Sequence, residues 1–167
     1  MTVTFKYDPF GRRIYKSSSS GTSIFAYDGD AIAEETNSSG SVVARYSQGG
    51  STDEPLAMLR SSTTSFYQAD GLGSVTSLSN GAGALAQTCT FDSFGKQTAS
   101  SGSLTNPFQY TARELDPETG LYYYRARYYD SGRGWDGGSL IVIPMATPKC
   151  RGESFGGRRL VCAGRHA

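Results

Sequence analysis

The sequence of 167 residues is poor in the residues from which most catalytic and metal sites are built. Its one histidine, His166, is the next-to-last residue, so no Ser-His-Asp or Cys-His arrangement is expected in the body of the chain. The three cysteines, Cys89, Cys150 and Cys162, include no C-x-x-C pair. A disulfide between Cys150 and Cys162, or a metal site that includes His166, is less favoured than one partly buried thiol and two incidental thiols. We therefore predict no metal and no cofactor.

Charge of one sign and long apolar runs are also missing. The net charge is +1, which gives no electrostatic reason to expect a nucleic acid or an acidic membrane surface as partner. No stretch approaches the roughly 20 apolar residues of a membrane span. Residues 1–7 lack the basic and apolar regions of a signal peptide, so we expect that the chain does not direct its own export.

A sustained apolar stripe with a period of 3.6 residues is absent, which predicts a low helix content. Glycine (21 residues), tyrosine (11) and phenylalanine (8) are abundant instead, a mixture typical of many short strands joined by tight turns. We predict an all-β fold, a meander of short antiparallel hairpins, with a polar linker at residues 17–21. The predicted strands cover residues 2–7, 24–27, 31–35, 42–46, 56–59, 65–68, 75–78, 85–91 and 121–129.

A six-residue repeat stands at two distant places in the meander. Tyr7-Asp8-Pro9-Phe10-Gly11-Arg12 is echoed by Phe91-Asp92-Ser93-Phe94-Gly95-Lys96. In each copy an aromatic residue ends a strand, and an aspartate can accept hydrogen bonds from the amides of the turn that follows. The glycine supplies a positive φ that a side chain would disfavour. Both copies therefore predict a tight turn between two strands.

The most distinctive stretch is residues 107–130, PFQYTARELDPETGLYYYRARYYD, which contains five of the eleven tyrosines between Leu121 and Tyr129. An acidic turn precedes the tyrosines, because Pro117 fixes its own φ and Gly120 can adopt a positive one. Aromatic side chains suit a pleated, half-buried surface, so a strand is predicted after the turn. Alternating tyrosines usually form cross-strand ladders.

Taken together, these motifs resemble the repeat-associated core domain of bacterial Rhs (rearrangement hotspot) or YD-repeat proteins. Residues 67–75 resemble an Asp-Leu-Gly-Ser segment of that family, although Gly71 stands where a histidine or an aromatic residue is commoner. The resemblance covers residues 7–130. It implies that the following residues form the structural repeat motif: Tyr7, Asp8, Gly11, Asp70, Gly73, Phe91, Asp92, Gly95, Asp116, Gly120, Tyr124, Arg125, Arg127, Tyr128, Tyr129 and Asp130.

The resemblance implies a structural role as a fragment of a β-shell that encapsulates and delivers a C-terminal toxin. The implied partners are the rest of the shell and the toxin domain, and such carriers are usually secreted or displayed at the cell surface. Many members cleave themselves at an Asp-Pro that follows the tyrosine-rich run. Here Asp130 is followed by Ser131 and Asp136 by Gly137, so no catalytic residue is carried over and the chain is predicted to be inactive.

The composition changes after Asp130, which divides the chain into a core region with YD-type repeats at 1–130 and a tail at 131–167. The tail contains no tyrosine and no periodic pattern, so we predict that it is disordered or the product of a frameshift. Its arginines could contact phosphate, but without interleaved aromatic residues a solvated tail is favoured over a nucleic-acid site. These arginines are Arg151, Arg158, Arg159 and Arg165.

Two further interpretations were weighed for the repeat region. Asp28 with Asp30, or Asp116 with Glu118, offer paired carboxylates for acid–base chemistry or calcium, but turn chemistry explains both pairs better. The tyrosines also resemble a sugar-stacking face. The alternative function is therefore a stand-alone surface β module that binds glycans, which a glycan array would separate from a shell fragment.

Overall fold

A computed structural model of the chain describes residues 2–51, 53–133, 140–141, 153–155 and 158–162. The described part is almost entirely β-structure, as the composition predicted. Its only helical segments are two short 3₁₀ turns at Tyr110–Ala112 and Ser131–Arg133. None of the described residues belongs to a helix with the length and apolar character needed to cross a bilayer.

Ten consecutive strands form one antiparallel meander in which each strand pairs with the strand before and after it in sequence. This order is the one expected when every connection is a short hairpin. The strands are β1 (Thr2–Tyr7), β2 (Arg13–Ser18), β3 (Gly21–Asp28), β4 (Ala31–Thr36), β5 (Val42–Gln48), β6 (Pro55–Arg60), β7 (Thr63–Ala69), β8 (Val75–Asn80), β9 (Leu85–Phe91) and β10 (Gln97–Ser101).

The structure confirms the predicted strands of this meander and adds two that the sequence analysis missed, β2 and β10. The linker predicted at residues 17–21 is wrong, because Ser17 belongs to β2 and Gly21 begins β3. The hydroxyls of Ser17 and Thr22 form a cross-strand hydrogen bond of 3.0 Å, so small polar residues extend this hairpin. The apolar alternation that marks the other strands is also weak in β10, which is an edge strand of serine, threonine and glutamine.

Five hairpins share one turn, in which an Asp or Asn is followed three residues later by a glycine. At Asp8, for example, the carboxylate accepts hydrogen bonds from the amides of Phe10 (3.0 Å) and Arg12 (2.9 Å), while Gly11 has a φ of +85°. A positive φ at that glycine is characteristic of a turn that ends in a β-bulge. The same hydrogen bonds recur at the other four positions, Asn37, Asp70, Asn80 and Asp92. Sequence analysis had recognised the repeat only at the aspartates.

The meander is strongly curled. The turns that follow β1 and β9 are eight strands apart, which corresponds to about 38 Å across a flat sheet. Yet the neighbouring residues Tyr122 and Tyr123 reach both of them: the Tyr122 hydroxyl lies 2.9 Å from the Gly95 carbonyl oxygen and the Tyr123 hydroxyl 3.4 Å from that of Gly11. Two adjacent side chains cannot span a flat sheet of that width, so the sheet forms a trough.

A second, small sheet fills the trough. It contains β11 (Glu114–Asp116), β12 (Leu121–Tyr123), β13 (Tyr128–Tyr129) and β14 (Leu140–Ile141). The acidic turn predicted between Asp116 and Gly120 joins β11 to β12, and Gly120 has a φ of +72°. The single strand predicted at residues 121–129 is wrong: Arg125, with a φ of +54°, lies in a tight turn that splits it into a hairpin.

Two apolar clusters bury the inner face of the trough. Phe108 packs edge-on against Tyr46 and Tyr67 in the middle of the meander. At the first strand, Phe5 packs against Tyr128, with their ring centroids 5.7 Å apart. Burial of aromatic side chains of this size is the main favourable contribution to such a core. The core therefore lies between the meander and the tyrosine-rich segment.

The first strand has a neighbour on its outer edge. Strand β16 (Arg158–Cys162) pairs in parallel with β1, and β15 (Glu153–Phe155) pairs with β16. Together with β14 and Ser131–Arg133, these strands are the described parts of the predicted tail at 131–167, and its other residues lie outside the described residues. Of the arginines considered for phosphate contacts, Arg158 and Arg159 belong to β16, whereas Arg151 and Arg165 lie outside the described residues. The disordered or frameshifted tail and the nucleic-acid interpretation stay predictions.

We predict that residues 1–130 expressed alone are less soluble than the full chain. Removal of β16 opens the hydrogen-bonding edge of β1, and an open strand edge templates pairing with other chains. Size-exclusion chromatography of both proteins at matched concentration should show oligomers or aggregates for residues 1–130. A sharp monomer peak with a cooperative melting transition would contradict this expectation.

Candidate functional site

The candidate site is the interface at which residues 107–130, hereafter the core segment, dock onto the inner face of the trough. At its centre Arg13 of β2 forms an ion pair with Asp116 of β11, with 2.5 Å between Nη1 and Oδ2. The two side chains are 2% and 1% exposed. Buried charges are tolerated only when they are paired, so this ion pair fixes the core segment against β2.

Aromatic rings and hydrogen bonds complete the surroundings of Arg13. Its guanidinium lies over the Tyr123 ring, 4.2 Å from the ring centroid. The Arg13 amide donates to the Tyr123 hydroxyl (3.1 Å), and the Tyr27 hydroxyl donates to the Arg13 carbonyl oxygen (2.9 Å). Burial alone lowers the pKa of Arg13, but the combined electrostatic interactions with Asp116, Tyr128, Glu114 and Tyr7 outweigh it and hold that pKa well above its ordinary value. Arg13 therefore stays charged.

The acidic turn is anchored to the adjacent hairpin. Lys16 lies 3.3 Å from carboxylate oxygens of both Asp116 and Glu118. The Ser18 and Ser20 hydroxyls donate to the other Glu118 oxygen at 3.1 and 2.8 Å. Hydrogen bonds to a carboxylate favour its ionised form, and the pKa of Glu118 is lowered although burial opposes the shift. Asp116 and Glu118, one of the two carboxylate pairs weighed against turn chemistry for acid–base or calcium roles, are thus occupied by contacts within the chain.

Glu114, also on β11, is a half-buried carboxyl of this interface with a weak partner. The nearest cation is Arg13, at 3.7 Å. Burial raises the pKa of Glu114 from 4.5 to about 7, because Arg13 offsets only part of the cost of burying the charge. Glu114 lines a cavity of about 520 Å³ between the core segment and the trough, together with Phe25, Glu35, Tyr46 and Arg60.

Three tyrosines fix the core segment to the turn between β9 and β10. The hydroxyls of Tyr110, Tyr129 and Tyr122 donate to three successive carbonyl oxygens, those of Ser93 (3.1 Å), Phe94 (2.7 Å) and Gly95 (2.9 Å). A Cβ on Gly95 would lie 2.4 Å from the Tyr110 ring, so only glycine permits this approach. The aromatic run is therefore a set of hydrogen-bonding anchors as well as an apolar surface.

Asp53 forms ion pairs with two arginines of the core segment. It lies in the loop between β5 and β6 and pairs with Arg113 at 2.6 Å and with Arg125 at 3.0 Å. Asp53 and Arg125 both have positive φ values, +64° and +54°. Such backbone conformations are unfavourable for residues other than glycine and persist where the surroundings impose them. The double ion pair supplies that restraint.

The remaining residues of the predicted repeat motif lie along this interface. Tyr7 and Tyr128 share a hydrogen bond of 2.9 Å between their hydroxyls, and Tyr124 bonds to Thr111 at 2.6 Å. Asp130 accepts a hydrogen bond from the Gly132 amide at 2.9 Å. Phe91 packs against Tyr110 with ring centroids 5.9 Å apart, whereas Arg127 is exposed in the turn between β12 and β13.

Sequence analysis missed three residues on the sheet side of the interface, Arg13, Lys16 and Asp53, and it missed Glu114 on the core segment. Arg13 and Lys16 sit in β2, whose pattern was not recognised as a strand. Their partners are about 100 residues away, and one sequence contains no signal for such a pairing.

At this site the core segment holds the two flanks of the curled meander together from the inside. The buried polar groups described above have partners within the chain, and the described residues include no cluster of three or more histidine, cysteine, aspartate or glutamate side chains able to hold a metal. Cys89 is buried and free, and burial raises the pKa of its thiol. The fold and site thus define a curled ribbon of repeated hairpins that is closed from inside by a tyrosine-rich segment.

This class is the YD-repeat shell. The Teneurin YD-shell family model matches residues 1–135, and the chain belongs to this family. The predicted membership among Rhs and YD-repeat proteins is thereby confirmed.

Curated relatives and solved structures agree. The chain is 31% identical over 137 residues to the tRNA nuclease WapA of Bacillus subtilis strain 168, and 32% identical to the tRNA3(Ser)-specific nuclease WapA of Bacillus spizizenii. Each match covers 79% of this chain and 6% of the relative. The crystal structure of TcdB2-TccC3 superposes with a TM-score of 0.57 at 19% identity, over 75% of this chain and 7% of that one. At 19% identity, the similarity to TcdB2-TccC3 shows a shared fold and nothing more.

We predict that Asp116→Ala destabilises the full chain by about 3 to 5 kcal/mol, because Arg13 is left buried without its counter-charge. The double variant Arg13→Met with Asp116→Leu removes both charges and should regain most of that loss. Urea denaturation monitored by circular dichroism measures both. As a control, Arg45→Met breaks the exposed ion pair with Glu34 and should change stability by less than about 1 kcal/mol. Equal losses for Asp116→Ala and Arg45→Met would refute the buried pair's role.

The raised pKa of Glu114 predicts a stability that falls as pH rises. The folded state binds the proton more tightly than the unfolded state, so the stabilisation is complete below pH 4.5 and is lost as pH passes about 7. At about 1.4 kcal/mol per unit of pKa, the shift from 4.5 to about 7 corresponds to a loss of at most about 3.5 kcal/mol. Urea midpoints between pH 5.5 and 8.5 test this, and Glu114→Gln should flatten the profile. Identical profiles for the two proteins would rule the assignment out.

Proposed function

We propose that this chain is a structural segment of a bacterial YD-repeat carrier, in which the shell encloses a C-terminal toxin and delivers it to another cell. The observation that carries the proposal is the docked core segment. Its ion pair with Arg13, its tyrosine anchors and its link to Asp53 hold the sheet in a curled form. Contacts on the inner face keep the sheet curved. A curved sheet encloses space on that face, as the wall of a container does.

The relatives support the view that the shell and the enclosed toxin are different parts of one protein. Two of them are named as tRNA nucleases, and this chain matches only 6% of their length. We infer that the matched part belongs to the shell and that the nuclease activity resides elsewhere in those proteins. By the same inference this chain is not an enzyme. Its partners would be the rest of a shell and the enclosed toxin, in a protein that is secreted or displayed at the cell surface.

A chimera tests the proposal. The 137 matched residues of Bacillus subtilis WapA are replaced by residues 1–135 of this chain, and the purified protein is treated with a nonspecific protease. We expect the nuclease domain to remain protected, as in the parent. Rapid degradation of the nuclease domain would contradict a shell role.

A matched chimera that carries Asp116→Ala serves as the control. It removes the central ion pair, so it should expose the nuclease domain to the protease while leaving the turns of the meander unchanged. Glycan binding, the other function considered, has no observation in its favour. Tyr122, Tyr123 and Tyr128 are buried against the meander and do not present a stacking face.

A further inference from the structure

The cavity between the core segment and the trough has an excess of negative charge. Its volume is about 520 Å³, which is within the range of pockets that hold small organic molecules. Among the described residues, three cationic side chains and four carboxylates line it. The cations are Arg13, Lys16 and Arg60, and the carboxylates are Glu35, Glu114, Asp116 and Glu118. When all of them are charged, one negative charge remains without a counter-ion.

Glu114 is the carboxylate that lacks a cation of its own. Its nearest cation is Arg13, at 3.7 Å, which is already bound to Asp116. Within the described part of the chain no group donates a hydrogen bond to the Glu114 carboxylate, and this side chain is 15% exposed. The other three carboxylates each pair with a different cation: Asp116 with Arg13, Glu118 with Lys16 and Glu35 with Arg60. Glu114 therefore has room for a further cation from the cavity.

The chemistry of the walls selects the kind of cation. A primary ammonium brings three donors and no acceptor to the one carboxylate that lacks donors, whereas a guanidinium would bring five. A metal ion requires several oxygen ligands, and no cluster of three or more metal-binding side chains occurs among the described residues. The alkyl stem of an ammonium can lie along apolar side chains. The cavity offers Phe25, Ile32, Val43 and Leu115.

We propose that this cavity is a binding site for a primary alkylammonium group, with Glu114 as its carboxylate partner and the apolar walls around its stem. The group has two sources, a free alkylamine and the lysine side chain of another polypeptide, which share the same chemistry. The site goes beyond the proposed shell role and does not depend on it.

The ligand and a proton compete for Glu114. Burial raises the pKa of Glu114 to about 7, whereas a neighbouring ammonium favours the ionised form. Below that pH the ligand has to displace a proton, so its affinity falls. At pH 5.5, about 1.5 units below the pKa, binding should be about 30-fold weaker than at pH 8.5. An alkylammonium has a pKa of about 10 and stays charged at both values.

Other groups act on Glu114 from the elements packed around it. Arg13 of β2 and Arg113 of the core segment favour its ionised form, whereas Asp116 and Asp53 oppose it. Burial raises the pKa values of the neighbouring Tyr27 and Tyr123, so both tyrosines stay neutral. Across the cavity, Glu35, Tyr46 and Arg60 are bound to one another.

A ligand-observed NMR titration of the full chain with n-butylammonium tests the proposal. We expect saturable one-to-one binding at pH 8.5 and about 30-fold weaker binding at pH 5.5. 1-Butanol has the same stem without the charge and should bind at least about tenfold more weakly. Nα-acetyl-lysine methylamide distinguishes the two sources: its binding identifies a polypeptide lysine as a ligand, and its failure with n-butylammonium bound restricts the ammonium site to free alkylamines.

Two variants and a control locate the site. Glu114→Gln should weaken binding of n-butylammonium at pH 8.5 at least about tenfold and abolish its dependence on pH. Val43→Phe fills part of the cavity without altering charge and should also weaken binding, which keeps the test decisive if Glu114→Gln does not fold. Glu34→Gln removes an outer carboxylate that pairs with Arg45, and should leave the affinity unchanged. Circular dichroism melting checks the fold of each variant.

Four results would overturn the proposal: no binding of n-butylammonium at pH 8.5, equal affinity at both pH values, equal affinity for 1-butanol, or equal losses in Glu34→Gln and Glu114→Gln. The nuclease chimera is an independent experiment. A protected nuclease without ammonium binding rejects the site alone, and an exposed nuclease with intact ammonium binding rejects the shell role alone.

Discussion

The ion pair between Arg13 and Asp116 is the interaction on which the rest of the structure depends. It joins the second strand of the meander to the first strand of the small sheet and lies almost completely out of water. A buried charge without its partner is costly, so the two sheets cannot separate gradually. The tyrosine hydrogen bonds to the turns at Gly11 and Gly95 also hold the two sheets together, because they fix the two flanks of the meander to one short strand.

This arrangement explains how a family of simple hairpins makes a curved wall. Each hairpin is specified locally by its turn, where one Asp or Asn side chain accepts two amide hydrogen bonds and a glycine takes a positive φ. Nothing in such a turn dictates how strongly the whole sheet bends. Curvature is instead fixed on the inner face, where Phe108 packs in the middle and the tyrosines reach both sides.

The hairpin turns are specified locally, whereas the curvature is set by the core segment. This division agrees with the function that we propose. A wall needs to be closed and inert, and most of the polar side chains described for the core segment are accordingly bound to other groups of the chain. Glu114 has only a distant cation and a cavity beside it, and the buried side-chain oxygen of Gln109 has no hydrogen-bond partner.

The sequence by itself determined the all-β class, most of the strands, the turns at Asp8, Asp92 and Asp116 and the family, because these depend on residues close together in the chain. Only the tertiary structure decided that Arg13 meets Asp116, 103 residues away, and that the strand predicted at 121–129 is a hairpin. The reason is physical: a turn is held by hydrogen bonds over four residues, whereas partners across the trough meet only after the whole meander has curled.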